Sequence, residues 1–403
     1  METLSTRCVI AGGGPAGIML GYLLARAGID VVVLEKWPDF FRDFRGDTIH
    51  PSTMEVLYEL RLLEDFLKLP HSEMTRMTVH FGGEVATVAD LSHLKTRSPF
   101  VAFIPQWDFL TFIASKGKTY PQFHLMMETE ATDVIERDGR IAGVRAKNKE
   151  REFDIVADLV VGADGRRSTL RQKAGLTSEA LSAPIDVLWF RIGLSGEDKK
   201  QSLGYLDSGR ALVMLDRHDY WQCAYIIEKG AFEGIKAAGL PAFRRSVAKL
   251  AQIDELAVAE VDSWEKVKLL SVTVDRAKEW ARDGLVLIGD SAHAMSPLGG
   301  VGINYAIHDA VAAANILVPA FRKNDLSLSV LKKVQARRET PTRRMQSIQI
   351  FVQNKILSPL LHEKASAGIP WFMKLFNLFP LLQRIPARVI GIGFQPEHIN
   401  ITF

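Results

Sequence analysis

Glycine spacing at residues 12–17 carries the clearest chemistry in the chain. Gly12, Gly14 and Gly17 stand at G-x-G-x-x-G spacing, with Ala16 among them, directly after the apolar run from Arg7 to Ala11. Glycines in that pattern permit a tight turn and let backbone N–H groups approach a phosphate. Ile18, Leu20, Leu23 and Leu24 follow at helical spacing, and Gly28 can stop that helix. Ile29 to Leu34 reads as a second buried strand with Glu35 at its end. A helix N-terminus there attracts a pyrophosphate, and the carboxylate can accept hydrogen bonds from a ribose diol. The unit predicts an adenine dinucleotide site that suits NAD or FAD equally.

Two later strand ends carry reactive residue types as well. D-L-V-V-G-A-D-G, from Asp158 to Gly165, runs into R-R-S-T-L-R and includes Asp164. G-L-V-L-I-G-D, from Gly284 to Asp290, opens G-D-S-A-H-A-M-S-P-L-G-G-V-G-I-N, which ends at Asn304. Within P-L-G-G-V-G only Leu298 and Val301 are bulky, so backbone there can lie flat against a planar ring. A helix is predicted from near Ile303 through Val318, with Ile303, Ala306, Ile307, Ala310, Val311 and Ala314 on its apolar face. Its positive end would stabilise a delocalised anion in that ring.

The elements that position these ends are interleaved with a different pattern. After Glu35 comes a polar, turn-rich stretch holding Arg42, Arg45, Asp47 and His50, and then a helix from Met54 to Leu67 with Ser52 or Thr53 as its cap. Strands are predicted over Met74 to Val88, Phe100 to Ile104 and Phe123 to Met127, a helix over Phe109 to Ser115, and a hairpin around Asp138-Gly139. Residues 181–267 are rich in aromatic and β-branched segments, with one helix near Pro241 to Ala251. The predicted fold is α/β (α+β overall). A Rossmann-like dinucleotide domain takes residues 1–71, 105–180 and 268–340, an antiparallel-sheet substrate domain takes 72–104 and 181–267, and a helical segment takes 341–403.

Composition narrows the class. With 403 residues, 47% hydrophobic, 24% charged and a formal net charge of +3, the chain reads as a soluble globular protein with no electrostatic case for nucleic acid. Ten histidines and two cysteines, Cys8 and Cys223, show no metal-ligand spacing, so no metal site is expected. The first residues do not resemble a signal peptide and no uncharged apolar run is long enough to span a bilayer, which points to the cytoplasm.

Taken in this order and at these separations, the three motifs resemble the single-component flavoprotein monooxygenases of the para-hydroxybenzoate hydroxylase type. That family includes ubiquinone-biosynthesis hydroxylases and many aromatic polyketide hydroxylases. The resemblance implies that Gly12, Gly14, Ala16 and Gly17 cradle the FAD pyrophosphate and that Glu35 holds the adenosine ribose. Arg45 and Gln106 would reach the pyrophosphate and ribityl chain, Ala131 would make a backbone contact near the adenine, and Asp290 would bond the ribityl chain. Asp164 would belong to the motif tied to FAD and NAD(P)H. Pro297, Gly299, Gly300, Val301, Gly302 and Asn304 would face the flavin, the first three next to the reacting ring. The reaction implied is reduction by NADH or NADPH, then O₂ activation as a flavin C4a-hydroperoxide that hydroxylates an aromatic, phenolic or polyketide-like small molecule.

The substrate pocket should be lined by the sheet insert. Candidates are Trp189, Arg191, Met214, Tyr220, Trp221 and Gln222, with His80 from the earlier strand; alternation lets only about half of them face inward. His50, His218 and Tyr220 are candidate bases for a phenol, and His293 and His308 are expected to be structural. A reductase of isoprenoid or quinone-like substrates on the same scaffold is the alternative; a flavin halogenase is disfavoured because W-x-W-x-I-P is absent. Lys332 to Arg344 is basic, and the region from Ile356 to Phe394 is apolar. The expectation is helices covering the flavin domain, with peripheral membrane contact or a lipid-like substrate tunnel as the alternative. A monomer or homodimer is expected.

Overall fold

In the computed structural model, residues 3–41, 48–81, 84–181, 183–193, 204–207, 209–217, 220–362 and 371–403 are described. The first strand, Thr3–Ala11, pairs in parallel with Val31–Leu34 on one side and Glu152–Gly162 on the other. Glu152–Gly162 pairs in parallel with Leu285–Leu287, and Val31–Leu34 with Phe123–Met126. The register aligns carboxyl ends: Ala11 stands opposite Leu34 and Gly162, and Gly162 opposite Leu287. Hydrogen bonding continues beyond the strands, as Gly12 N donates to Leu34 O (2.8 Å), Ala163 N to Ala11 O (2.8 Å) and Ile288 N to Gly162 O (2.9 Å). Three segments far apart in sequence therefore leave the sheet along one edge, where doubly wound folds bind their ligands.

Alternation along these strands fills two cores. Cys8, Ile10, Val31, Val33, Leu159 and Val161 pack against the helices Pro15–Arg26, Gln106–Gly117 and Gly302–Lys323. Val9, Ala11, Val32, Leu34 and Val160 face Trp280 and the hairpin side chains Ile141 and Val144. The hairpin turns at Asp138 (φ 51°) and Gly139 (φ 78°), the left-handed pair that a two-residue turn requires.

The second sheet has seven strands in the order 268–271, 185–193, 220–228, 210–216, 204–207, 76–81 and 84–90. Its outer face packs on the helix Leu240–Ala251. The expected strand 74–88 is three strands, Ser72–Met74, Arg76–Phe81 and Glu84–Asp90, and the expected helix 54–67 is two, Pro51–Glu59 and Leu63–Phe66. The N-cap is His50 rather than Ser52 or Thr53, because Pro51, which has no N–H to satisfy, takes the first helical position.

The C-terminal region is mostly helical, and its parts pack on both sheets. Helix Leu328–Val352 runs through residue 341 without a break. The helices Trp371–Leu378 and Arg384–Gly391 lie against strand Glu84–Asp90 of the second sheet, while the last residues return to the dinucleotide domain. There Asn315 Nδ2 donates to His398 O (2.8 Å) and Ile399 N to Glu59 Oε2 (2.7 Å). Within the basic stretch Arg338 is 1% exposed and Arg337 pairs with Glu397 at 2.8 Å, while Lys332, Lys333, Arg343 and Arg344 stay exposed. Leu298–Lys323 is long and apolar enough to cross a membrane, but 83% of its apolar window is buried in the protein core.

A buried charge cluster joins these parts. Asp309 accepts from Gly289 N (2.9 Å), His293 Nε2 (2.6 Å) and Arg338 Nε (2.9 Å), while Arg338 also donates to Glu397 (3.3 Å) and Gln395 O (3.2 Å). Burial opposes ionisation of Asp309, but His293 and Arg338 outweigh it and hold the carboxyl down at about 2. A depressed folded value stabilises the protein fully above the ordinary carboxyl range, and this support is lost as pH falls toward about 2. Asp309→Asn should cost about 3 kcal/mol in chemical denaturation at pH 7, since it takes from the buried Arg338 the nearer of its two carboxylates and from His293 its acidic partner. A loss under about 1 kcal/mol would show that the cluster does not hold the tail.

Candidate functional site

The three glycines of the first motif do different work. A Cβ on Gly12 (φ +107°) would lie 2.2 Å from Ala163 O, and one on Gly17 would lie 1.9 Å from Gly12 O, so both positions are closed by packing. Gly14 has nothing within 4 Å of its Cβ position. It caps Pro15–Arg26, whose first turn has no side-chain cap and so offers its N–H groups outward. That open, uncapped helix end fits a pyrophosphate. Glu35 is held over the same turn, its carboxylate accepting from Gly13 N and Trp37 N, each at 3.1 Å.

The second and third strand ends are tied together. Asp164 is spent on its own loop, accepting from Ser168 Oγ (2.5 Å) and Leu170 N (3.0 Å); burial nonetheless pushes its carboxyl up, with those hydrogen bonds opposing. Arg166 Nε donates to Asp290 Oδ2 at 3.1 Å, and Arg171 donates to Ser291 O at 2.8 Å. Gln106 opens the helix Gln106–Gly117, and Ala131 is buried in strand Glu130–Arg137. Arg45 and His218 lie outside the described residues.

The segment Pro297–Gly302 is clamped from two sides. Gly299 and Gly300 take φ values of +78° and +64°, and a Cβ on Gly300 would sit 2.3 Å from Thr48 Oγ1. Thr48 Oγ1 donates to Gly300 O at 2.8 Å. Asn304 spends its amide on the same junction: Nδ2 donates to Thr48 O (2.9 Å), and Oδ1 accepts from His50 N (2.9 Å) and Thr53 Oγ1 (2.8 Å). From behind, Gln349 Nε2 donates to Ser296 O (3.0 Å) and Leu298 O (2.9 Å), and Gln349 Oε1 accepts from Ser296 N (3.2 Å). Gln346 bonds Asp275 O and Ala294 O, and Gln353, in a π-turn over Gln353–Leu357, bonds Ser296 Oγ. Sequence reasoning missed this clamp. Its signal was three glutamines at i, i+3 and i+7, which share one helix face.

Helix Gly302–Lys323 starts at the end of the clamped loop with no side-chain cap, so its positive end stays available to an anionic ring edge. His50 Nδ1 donates to Ile390 O at 2.7 Å, and burial pushes its basicity down to about 4, partly opposed by that carbonyl. Such a ring is neutral at pH 7 and a weak base for a phenol. His308 is likewise held down to about 3 by burial and by Arg338, and its Nδ1 accepts from Glu397 N at 3.1 Å.

The second sheet sorts the substrate candidates by face. Trp189 packs in one cluster with Leu298 of the clamped loop, together with Val187, Val213 and Ala224. Arg191 and Gln222 face each other in register on that side, and the Arg191 guanidinium lies 4.8 Å from the Tyr220 ring centre. Met214 and Trp221 point the other way, into the outer core with Phe243 and Val247. His80 also leaves the pocket side, stacked at 5.0 Å on Tyr205, which packs on that outer core. The two-residue period separates these outward residues from their inward neighbours. Gln222 is 4% exposed; its Oε1 accepts from Arg217 Nε (3.2 Å), and its Nε2 has no partner among the described residues.

Three parallel strand ends around an uncapped helix, with a clamped glycine loop opposite an apolar sheet face, define a dinucleotide-dependent oxidoreductase. The chain belongs to the FAD-binding-domain family of flavoprotein monooxygenases of the para-hydroxybenzoate hydroxylase type, whose model matches residues 5–346. It is 30% identical to 6-methylpretetramide 4-monooxygenase of Streptomyces rimosus over 87% of this chain and 84% of that protein. It is 27% identical to para-nitrophenol 4-monooxygenase of Pseudomonas sp. strain WBC-3, over 82% of each. The crystal structure of p-nitrophenol 4-monooxygenase from Pseudomonas putida DLL-E4 shares the fold, with a TM-score of 0.80 at 20% identity, over 98% of this chain and 100% of that one. FAD is the cofactor, and the protein is an FAD-dependent monooxygenase.

Gln349→Leu removes three hydrogen bonds from Ser296 and Leu298 while keeping the side chain's bulk. A weakening of FAD binding by about 10-fold or more is expected in fluorescence titration, from buried backbone groups left unpaired. Unchanged affinity would mean that the clamp does not shape the flavin loop.

Proposed function

We propose that this protein hydroxylates an electron-rich aromatic or polyketide-like small molecule held between the inner sheet face and the Pro297–Gly302 loop, using O₂ and NADH or NADPH. Bound FAD supplies the electron transfer and oxygen activation. Gly14 and the first turn of Pro15–Arg26 would hold its pyrophosphate, with Glu35 at the ribose and Asp290 at the ribityl chain. Pro297, Gly299, Gly300, Val301 and Gly302 would lie along the ring, and the start of helix Gly302–Lys323 would stabilise negative charge at its edge. Asn304, already spent on Thr48 and His50, would act by fixing the loop.

The observation that carries the substrate assignment is Gln222. Arg217 holds its carbonyl oxygen, and the amide N–H₂ has no partner among the described residues. A substrate carbonyl or phenolic oxygen would satisfy it, with Trp189 supplying an apolar wall and Arg191 and Tyr220 a polar one. The depressed basicity of His50 argues against that residue as the base for a phenol. We place the enzyme in the cytoplasm, where the buried, unpaired Cys8 and Cys223 suit a reducing compartment.

A panel of phenols, quinone precursors and polyketides should contain compounds that stimulate oxygen uptake and gain one oxygen by mass spectrometry. Anaerobic turnover without oxygen gain would establish a reductase instead. With the substrate found, Gln222→Leu should lower kcat/KM by about 10- to 200-fold, the cost of one lost buried hydrogen bond. An unaltered kcat/KM would remove Gln222 from the pocket.

A further inference from the structure

We propose that the turn between the two C-terminal helices is a docking surface for an anionic lipid bilayer. Leu378, Phe379 and Leu381 are 70%, 58% and 67% exposed and almost consecutive, and Ile385, one turn on, is 63% exposed. Four large apolar side chains projecting from one turn are costly in water unless something covers them. The exposed cations Lys374, Arg384 and Arg388 flank them, and residues 374–396 contain no Asp or Glu. The neighbouring strand adds exposed Val85 and two carboxylates, exposed Glu84 and buried Asp90, the latter already paired with Arg76 at 3.0 Å.

This turn is built rather than frayed. Asn377 Nδ2 donates to Val85 O (3.0 Å), Thr87 N donates to Asn377 Oδ1 (3.2 Å), and Gln383 Nε2 ties back to Phe376 O (2.8 Å). Ala387 anchors the second helix at full burial beside Phe103 and Leu215. The side chains are thus held out by the fold.

Charge selects the occupant. In a symmetric contact between two copies, each apolar turn would bring its cations toward those of its mate, and of the two carboxylates on the neighbouring strand Asp90 is buried and already paired with Arg76, which leaves Glu84 to offset them. An anionic lipid surface instead attracts all three cations while the apolar turn enters the headgroup boundary. Ala387 and Trp189 belong to one apolar cluster, so docking would set the inner sheet face beside the bilayer, a source of apolar small molecules.

Binding is read without turnover, so its outcome is independent of the substrate assignment. FAD-loaded protein is sedimented with vesicles of phosphatidylcholine alone or of phosphatidylcholine and phosphatidylglycerol at 7:3. The expected result is about 10- to 100-fold tighter binding to the anionic vesicles, weakened by high salt. The triple variant Leu378→Ser, Phe379→Ser, Leu381→Ser should lose that binding while keeping its flavin content. Should the triple variant not fold, Lys374→Glu, Arg384→Glu, Arg388→Glu provides the same test through charge. Equal binding to both vesicles, none to either, or wild-type binding by the variants would overturn the proposal. So would a dimer in light scattering that the triple variant abolishes, which would make the turn a self-association surface.

Discussion

Everything in this molecule depends on the alignment of parallel strand ends. Ala11, Leu34, Gly162 and Leu287 finish in register, and the backbone bonds from Gly12, Ala163 and Ile288 carry the ladder past the last strand residues. A slip of one residue would swap the faces of Ile10 and Val9 and send the motif loops apart. The two cores that alternate across this sheet therefore do more than stabilise it: they fix where three distant loops meet. Gly12 against Ala163 O leaves no room for a side chain, so the first loop cannot form except beside the second.

Around that edge the protein spends buried polar groups on holding backbone. Asn304 joins the glycine loop to Thr48 and His50, Gln349 joins it to the long C-terminal helix, and Asp309 joins Gly289 to Arg338 and the tail. Each group is fully engaged, which makes such networks rigid rather than costly. The arrangement suits an enzyme whose hard chemistry is the cofactor's: the protein's part is to hold the glycine loop in fixed relation to the facing side of the second sheet. That His50 and His308 are pushed toward neutrality by burial agrees with a positioning role for them.

Much of the fold was legible because its signals are local. The glycine motif, the buried strands and the Asp138-Gly139 hairpin each announce themselves within a dozen residues. The family was legible because three such local signals occur in a fixed order. Facing was not legible: Trp189 and Trp221 read alike in sequence, and only pairing with the neighbouring strands sends one toward Leu298 and the other toward Phe243. The glutamine clamp was hidden because Gln346, Gln349 and Gln353 look like an ordinary polar helix face until the helix is buried. Arg338 was hidden for the same reason, since it reads as one more cation of a basic stretch and is interior in space.

The central claim is that three strand ends close around one FAD. Titrating FAD into flavin-stripped protein by calorimetry tests it most directly. One tight site per chain, lost when Gly14 is replaced by a bulky residue that fills the open space before the first helix, is the predicted result. Binding that is absent, or that survives the filling of that space, would contradict it.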